Sequence, residues 1–249
     1  MAINMWRKSI LIILIVVIAI GVYLNRSYAH FFNYITDHFQ TNPTINYNYE
    51  IGIGPPIKYV ALGDSLTAGT GTNEPTDSFP YQLSQKIAAD GHRVELMNLG
   101  IPGGKADNII SGQIEKTIAF KPNLITILIG VNDLQDKIKK TMFAQNLDKI
   151  IVELKAKTTA RIIVASIPHL GAYPALLWPH YQYFNYQTQK FNTVIQNIAT
   201  ANSVEFIDLY SYNKNLEKTG DNFYSPDYFH PNKNGYRAWA EFFYANYRK

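Results

Sequence analysis

Tyr59-Val60-Ala61-Leu62-Gly63-Asp64-Ser65-Leu66-Thr67-Ala68-Gly69 is the stretch that decides how this chain is read. A short apolar run ends in a Gly-Asp-Ser turn, and the small residues beyond it let a helix begin close to the strand end. A serine so placed carries its hydroxyl above the edge of a sheet, beside backbone N–H groups that have no partner of their own. Ser65 is therefore a candidate nucleophile. Asp64 reads as a helix cap or turn former rather than as a catalytic acid.

Outward from that stretch, short apolar runs alternate with helical patterns. The runs at 57–62, 94–98, 124–129, 161–167 and 204–209 are expected strands, the third and fourth apolar almost throughout, as strands of a parallel sheet covered on both faces are. Between them, Phe143, Leu147, Ile150, Ile151 and Leu154 recur at helical spacing, as do Phe191, Val194, Ile195 and Ile198, and then Tyr236, Trp239, Ala240 and Phe243. A βαβ succession of this kind predicts right-handed crossovers and a three-layer α/β/α sandwich on a mainly parallel, roughly five-stranded sheet. Ligands then bind beyond the carboxyl ends of the strands.

Four polar clusters stand at those ends: Ser65 after the first strand, Asn98-Leu99-Gly100-Ile101-Pro102-Gly103-Gly104 after the second, Gly130-Val131-Asn132-Asp133 after the third, and Asp227-Tyr228-Phe229-His230-Pro231-Asn232 before the last helix. Each alone is weak, because a Gly-Asp-Ser or an Asp-x-x-His arises readily by chance. Four in order at strand ends are mutually consistent, which is where their weight lies.

From about Tyr59 to the C-terminus this order resembles the SGNH hydrolases, also called the GDSL esterase and lipase family, through Gly-Asp-Ser-Leu at 63–66, Gly100, Gly-x-Asn-Asp at 130–133 and Asp-x-x-His at 227–230. The resemblance implies a flavodoxin-like sandwich and a serine esterase, with Ser65, Asp227 and His230 as its triad. It also implies an oxyanion hole made by the backbone N–H groups of Ser65 and Gly100 and the side-chain amide of Asn132. The chemistry is coherent. Ester hydrolysis needs a nucleophile, a base to take its proton, and donors aimed at the oxygen that becomes negative. Asp227 and His230, three residues apart, can share one tight turn. The α/β-hydrolases also run Ser, Asp, His, but their Gly-x-Ser-x-Gly is not met by Gly63-Asp64-Ser65-Leu66-Thr67.

The Pro- and aromatic-rich segment from Ile167 to Phe184 follows the fourth strand and should overhang the site. Leu176, Leu177, Trp178 and Tyr181 are candidates for an acyl-group wall, with plain packing as the alternative. No metal or cofactor is expected, since carboxylates and imidazoles form no ligand cluster and the chain has no cysteine.

The N-terminus carries a location signal. After Arg7 and Lys8, residues 9–24 are uninterrupted by charge, and at about 1.5 Å per residue they span roughly 24 Å, with Trp6 and Tyr23 placed as interfacial anchors. Residues 1–29 are expected to be a signal-anchor or signal peptide, Ser27-Tyr28-Ala29 favouring cleavage and Arg26 an uncleaved anchor. With Arg7 and Lys8 cytoplasmic, the bulk of the chain is exported. Residues 30–56 read as a stalk or strap and 57–249 as the hydrolase domain, one globular unit within the 249 residues.

The net charge of +4 resides mostly in Arg7, Lys8 and Arg26; the remaining 220 residues hold 20 cations against 19 acids. Nothing basic is left for nucleic acid. The expected partner is an ester substrate, lipid or acylated envelope carbohydrate, together with the membrane. Two other classes fit the same sequence: an acyltransferase using this site, separable by product analysis with an added alcohol, and a membrane-tethered binding domain without turnover.

Overall fold

In the computed structural model, residues 2–39, 47–172 and 174–249 are described. A helix α1 (Ala2–His38) precedes an edge strand β1 (Tyr47–Ile51). The chain then runs through β2 (Pro56–Gly63), α2 (Ser65–Ala68), α3 (Phe79–Ala89), β3 (Arg93–Asn98), α4 (Ala106–Gly112), α5 (Ile114–Phe120), β4 (Leu124–Leu128), α6 (Val131–Gln135) and α7 (Lys140–Lys157). It ends with β5 (Arg161–Ala165), α8 (His180–Ala201), β6 (Glu205–Ile207), α9 (Leu209–Leu216) and α10 (Lys233–Tyr247).

The strand order is β1-β3-β2-β4-β5-β6. All five expected strands are present as parallel neighbours, with β2 between β3 and β4. The chain steps from β2 to β3 in one direction and from β3 back over β2 to β4, β5 and β6 in the other. Right-handed crossovers put helices on opposite faces when the direction reverses. Accordingly α3 packs with α10, whereas α7 packs with α4, α5 and α8. The reversal makes the carboxyl end of β2 a switch point, the usual position of a crevice in open α/β sheets. Ser65 opens α2 at that point.

The sheet interior is apolar for the reason the runs suggested: β4 is buried along its whole length, and β2 from Tyr59 onward. A polar pair at its centre is satisfied. Tyr59 and Thr126, both fully buried, are joined through their hydroxyls at 2.8 Å.

Two features depart from the expected stalk at 30–56. Residues 47–51 alternate inward and outward and pair antiparallel with β3, Tyr47 opposite Asn98 and Ile51 opposite Val94. Tyr47 is buried and its hydroxyl sits between Asn98 and Ser78. The apolar helix, moreover, does not stop near residue 29. It continues to His38 because its last third has a partner: Phe31 is buried against Phe184 and Phe229, Ser27 Oγ bonds His180 Nδ1 at 2.9 Å, and Tyr23 donates to the Trp178 carbonyl at 2.6 Å. Toward its N-terminus the helix leaves the apolar side chains from Ile10 to Leu24 exposed. The stalk expectation for residues 40–46 lies outside the described residues.

Phe31 is the anchor of this docking. Truncating a buried phenylalanine costs about 3–5 kcal/mol where the cavity cannot collapse. The expected outcome for Phe31→Ala is that proteolysis near residues 27–39 becomes fast, while the thermal midpoint of the 57–249 domain moves by only a few degrees.

Candidate active site

The turn 227–230 is built around one carboxylate. Asp227 Oδ1 accepts from Ser225 Oγ at 2.7 Å and from the backbone N–H groups of Phe229 and His230 at 2.9 and 2.8 Å. The turn closes with Tyr228 in the left-handed region at φ 53°, an uncommon conformation for a bulky residue that is retained where surroundings over-determine it. Asp227 Oδ2 is left for the imidazole and lies 2.6 Å from His230 Nδ1. A carboxylate only accepts, so Nδ1 carries the proton and Nε2 faces outward with its lone pair. His230 Nε2 is 3.0 Å from Ser65 Oγ. Burial alone would raise the Asp227 carboxyl, but the bonds from His230, Ser225 and Phe229 outweigh it and hold it below its ordinary value.

The two halves of this relay are 165 residues apart and are clamped from several sides. Asn232 caps α10 by accepting from Asn234 and Gly235, which sets the turn's exit. Tyr236, fully buried on α10, donates to the Thr70 carbonyl at 2.7 Å, and the Thr70 N–H bonds the Ser65 carbonyl at 3.0 Å. Gln113 grips the Gly63 backbone at both N–H and C=O, 3.1 and 2.9 Å. Asn98, at the end of β3, donates to the Thr67 carbonyl and Tyr47 hydroxyl at 2.7 Å each. The sequence reading gives none of these four a positioning role: Asn98 and Asn232 stand there only as members of polar clusters and Tyr236 only as a core residue, while Gln113, between α4 and α5, carries no local signal.

The expected oxyanion donors fare differently. The Ser65 N–H makes no hydrogen bond among the described residues. The Gly100 N–H, by contrast, is already committed, donating to Asn98 Oδ1 at 2.9 Å. Gly100 is demanded by packing instead. A Cβ there would lie 2.4 Å from the Ala68 nitrogen and 2.8 Å from the Asp64 carbonyl, so the loop after β3 presses directly on α2. Three residues on, Gly103 has φ 76°, open space where a Cβ would be, and an N–H with no partner among the described residues. Asn132 donates one amide N–H to the Gly104 carbonyl at 2.9 Å, which joins the loop after β3 to α6 and leaves its second N–H. Asp133 does not cap its own helix; it accepts from the Ala106 N–H at the start of α4, 3.1 Å away.

Of the expected acyl wall, the structure brings none to Ser65. Leu176 is buried and faces α1 across a groove, together with Pro179 and Phe184. Leu177 is half-buried, and Trp178 is 66% exposed. The Tyr181 hydroxyl is turned into the domain, 3.1 Å from His169 Nε2, whose Nδ1 meets Glu217 at 2.8 Å. Two rings stand edge-on to the imidazole instead: its neighbour Phe229 at 5.1 Å and Phe39, just past α1, at 5.6 Å. Among the described residues no group of three or more His, Asp or Glu side chains is arranged to hold a metal.

A model of the GDSL-like lipase/acylhydrolase family matches residues 61–238, from β2 into the last helix, and spans all four clusters. The chain belongs to this family. It is accordingly an ester-hydrolysing serine hydrolase. It is 25% identical over 207 residues to the spore germination lipase LipC of Bacillus licheniformis, covering 74% of this chain and 93% of the relative. The fold is shared with a lipase/acylhydrolase from Enterococcus faecalis, at TM-score 0.63, 24% identity, 76% of this chain and 94% of that one. It is shared too with Axe2, an acetylxylan esterase from Geobacillus stearothermophilus, at TM-score 0.59, 21% identity, 77% and 94%.

Beneath the serine lies a buried carboxyl with a different character. Asp64 caps α2 through Oδ1, which accepts the Leu66 N–H at 3.0 Å, while Oδ2 has no partner and the residue is fully buried. Burial, reinforced by the Asp133 carboxyl, pushes Asp64 up to about 8. An unfolded aspartate titrates near ~3.9, so between these values the native state binds the extra proton. The stability Asp64 contributes is then full below about pH 4 and falls as pH rises toward 8. In Asp64→Asn, whose amide oxygen retains the cap, thermal midpoints measured from pH 4.5 to 8.5 should decline less steeply than in the wild type. Parallel curves would contradict a protonated Asp64.

Proposed function

We propose that the protein is a membrane-anchored, extracytoplasmic serine esterase in which Ser65 attacks the ester carbonyl, His230 takes its proton and returns it to the leaving alcohol, and Asp227 holds the imidazole. The observation that carries this reading is the continuous relay Asp227 Oδ2–His230 Nδ1 at 2.6 Å and His230 Nε2–Ser65 Oγ at 3.0 Å. The first bond selects the tautomer whose lone pair faces the hydroxyl, the arrangement general-base activation needs. The developing oxyanion is received by the Ser65 N–H, the second N–H of Asn132 and the Gly103 N–H, which takes the part expected of Gly100. Loss of the alcohol leaves a covalent acyl-serine; water, giving its proton to His230, then attacks that ester, and as the bond to Ser65 Oγ breaks the acid departs and His230 returns the proton to the serine.

Anchoring is supported by the exposed apolar face of α1, long enough to cross a membrane between residues 6 and 38. Retention of the helix is supported by Ser27, which lies in an unbroken helix, buried against His180, where a leader peptidase would have to cut nearby. An extracytoplasmic site favours esters of lipids or acylated envelope carbohydrate, and the relatives named above include both a lipase and an acetylxylan esterase.

The test is a chain-length series of p-nitrophenyl esters on three proteins. Wild type should turn over at least the acetyl or butyryl ester. Ser65→Ala should lose roughly a thousandfold or more in kcat, and Asn132→Ala about a hundredfold in kcat with a smaller change in KM, as expected for a donor used in the transition state. Wild-type rates matched by Ser65→Ala would remove the proposed mechanism.

A further inference from the structure

Where α1 leaves its apolar run it forms one side of a groove of about 740 Å³, within the roughly 300–1,000 Å³ typical of small-ligand sites. Leu24, Tyr28 and Phe32 line the α1 wall, and Leu176, Tyr183 and Phe184 the wall from the 174–184 segment and α8. Several of these are large apolar side chains left open to solvent, Tyr183 at 59% and Phe32 at 39%. The far rim is cationic. Lys137, Lys139 and Lys140, at the connection from α6 to α7, border the groove, and no acidic side chain among the described residues does. Lys137 is held at the rim with its ammonium 5.0 Å from the centre of the Tyr28 ring. The neighbouring acid, Asp136, is engaged by Lys105 at 2.8 Å.

Position along the helix selects the occupant. From Leu24 to Phe32 the helix advances about 12 Å, and Leu24 ends the charge-free run. If that run fills the hydrocarbon core, the groove opens at its boundary and continues through the headgroup layer, roughly 5–8 Å thick on each side. A body of apolar wall with three ammonium groups at headgroup depth is complementary to an anionic amphiphile. We propose that this groove binds one anionic phospholipid of the surrounding bilayer, an acyl chain lying against Tyr28, Phe32 and Tyr183 and the phosphate facing Lys137, Lys139 and Lys140. The inference rests on the membrane-anchored reading above.

The bound lipid is held beside the catalytic centre, not in it. Neither Ser65, Asn132 nor His230 lines the groove; Phe31 lies between, on one side facing the groove and on the other edge-on to Phe229 at 5.5 Å, itself 5.1 Å from His230. The lipid bridges α1 and the α6–α7 connection, and so fixes the tilt of the catalytic domain on the membrane.

The test uses the full chain in vesicles of phosphatidylcholine with and without phosphatidylglycerol, followed by extraction in mild detergent and counting of retained phospholipid per protein. Wild type should retain close to one phosphatidylglycerol and prefer it to phosphatidylcholine by about tenfold or more, a modest share of what three interfacial lysines supply. The triple variant Lys137→Gln, Lys139→Gln, Lys140→Gln should lose that preference, and Tyr183→Asp should lose retention, both with unchanged hydrolysis of a soluble p-nitrophenyl ester. Equal retention of the two lipids, retention untouched by the triple variant, or a lipid-free dimer closing the groove would each overturn the site. Failure of the wild type to float with vesicles at all would instead remove the membrane-anchored reading on which it rests.

Discussion

The hydrogen bond between His230 Nε2 and Ser65 Oγ, 3.0 Å long across 165 residues of chain, is the constraint around which the rest of this structure is arranged. A displacement of about 1 Å at such a contact is enough to cost orders of magnitude in rate, and neither residue's own backbone can hold it. The Ser65 side is fixed by β2 in the centre of the sheet, by Gln113 on Gly63 and by the cap from Asp64. The His230 side is fixed by the turn around Asp227 and by the α10 cap at Asn232. Tyr236, reaching from α10 to Thr70, ties one side to the other.

The polar groups that do this are nearly all buried, so each had to find a partner or lose its charge. Asn98 uses its amide N–H groups and its carbonyl on three different segments. Asp227 satisfies both oxygens and stays ionised below its ordinary range. Asp64 answers in the other way: cut off from water, with the Asp133 carboxyl adding to the effect, it is pushed up to about 8 and is protonated at neutral pH, while Asp133, raised only to about 6 and bonded by the Ala106 N–H, still ionises there. One carboxyl held charged and one held neutral are thus separated by environment and not by sequence.

The N-terminal helix joins this framework instead of merely preceding it. Phe31 fills a space between Phe184 and Phe229, Tyr34 packs on Tyr228, and Phe39 reaches His230 itself. Whatever fixes the orientation of α1 therefore also acts on the loop that carries His230.

The sequence by itself determined the sandwich, its five parallel strands, the apolar run of the first helix and the four ordered clusters that include Ser65, Asp227 and His230, because each rests on a local pattern. Period, turn chemistry and the order of four short clusters are visible within a few residues of one another. It also carried the alternation of β1, Tyr-Asn-Tyr-Glu-Ile, but a five-residue edge strand in an aromatic, nearly uncharged segment reads equally well as a strap until its pairing with β3 is seen. Only the tertiary structure decided that the Gly100 N–H is consumed by Asn98 while the Gly103 N–H is open, that Tyr181 turns inward to His169, and that α1 runs on to His38. Each of these depends on which of several groups, near or far in sequence, is held against a hydrogen-bond donor or an apolar face, and that competition is settled by the packing of the whole chain.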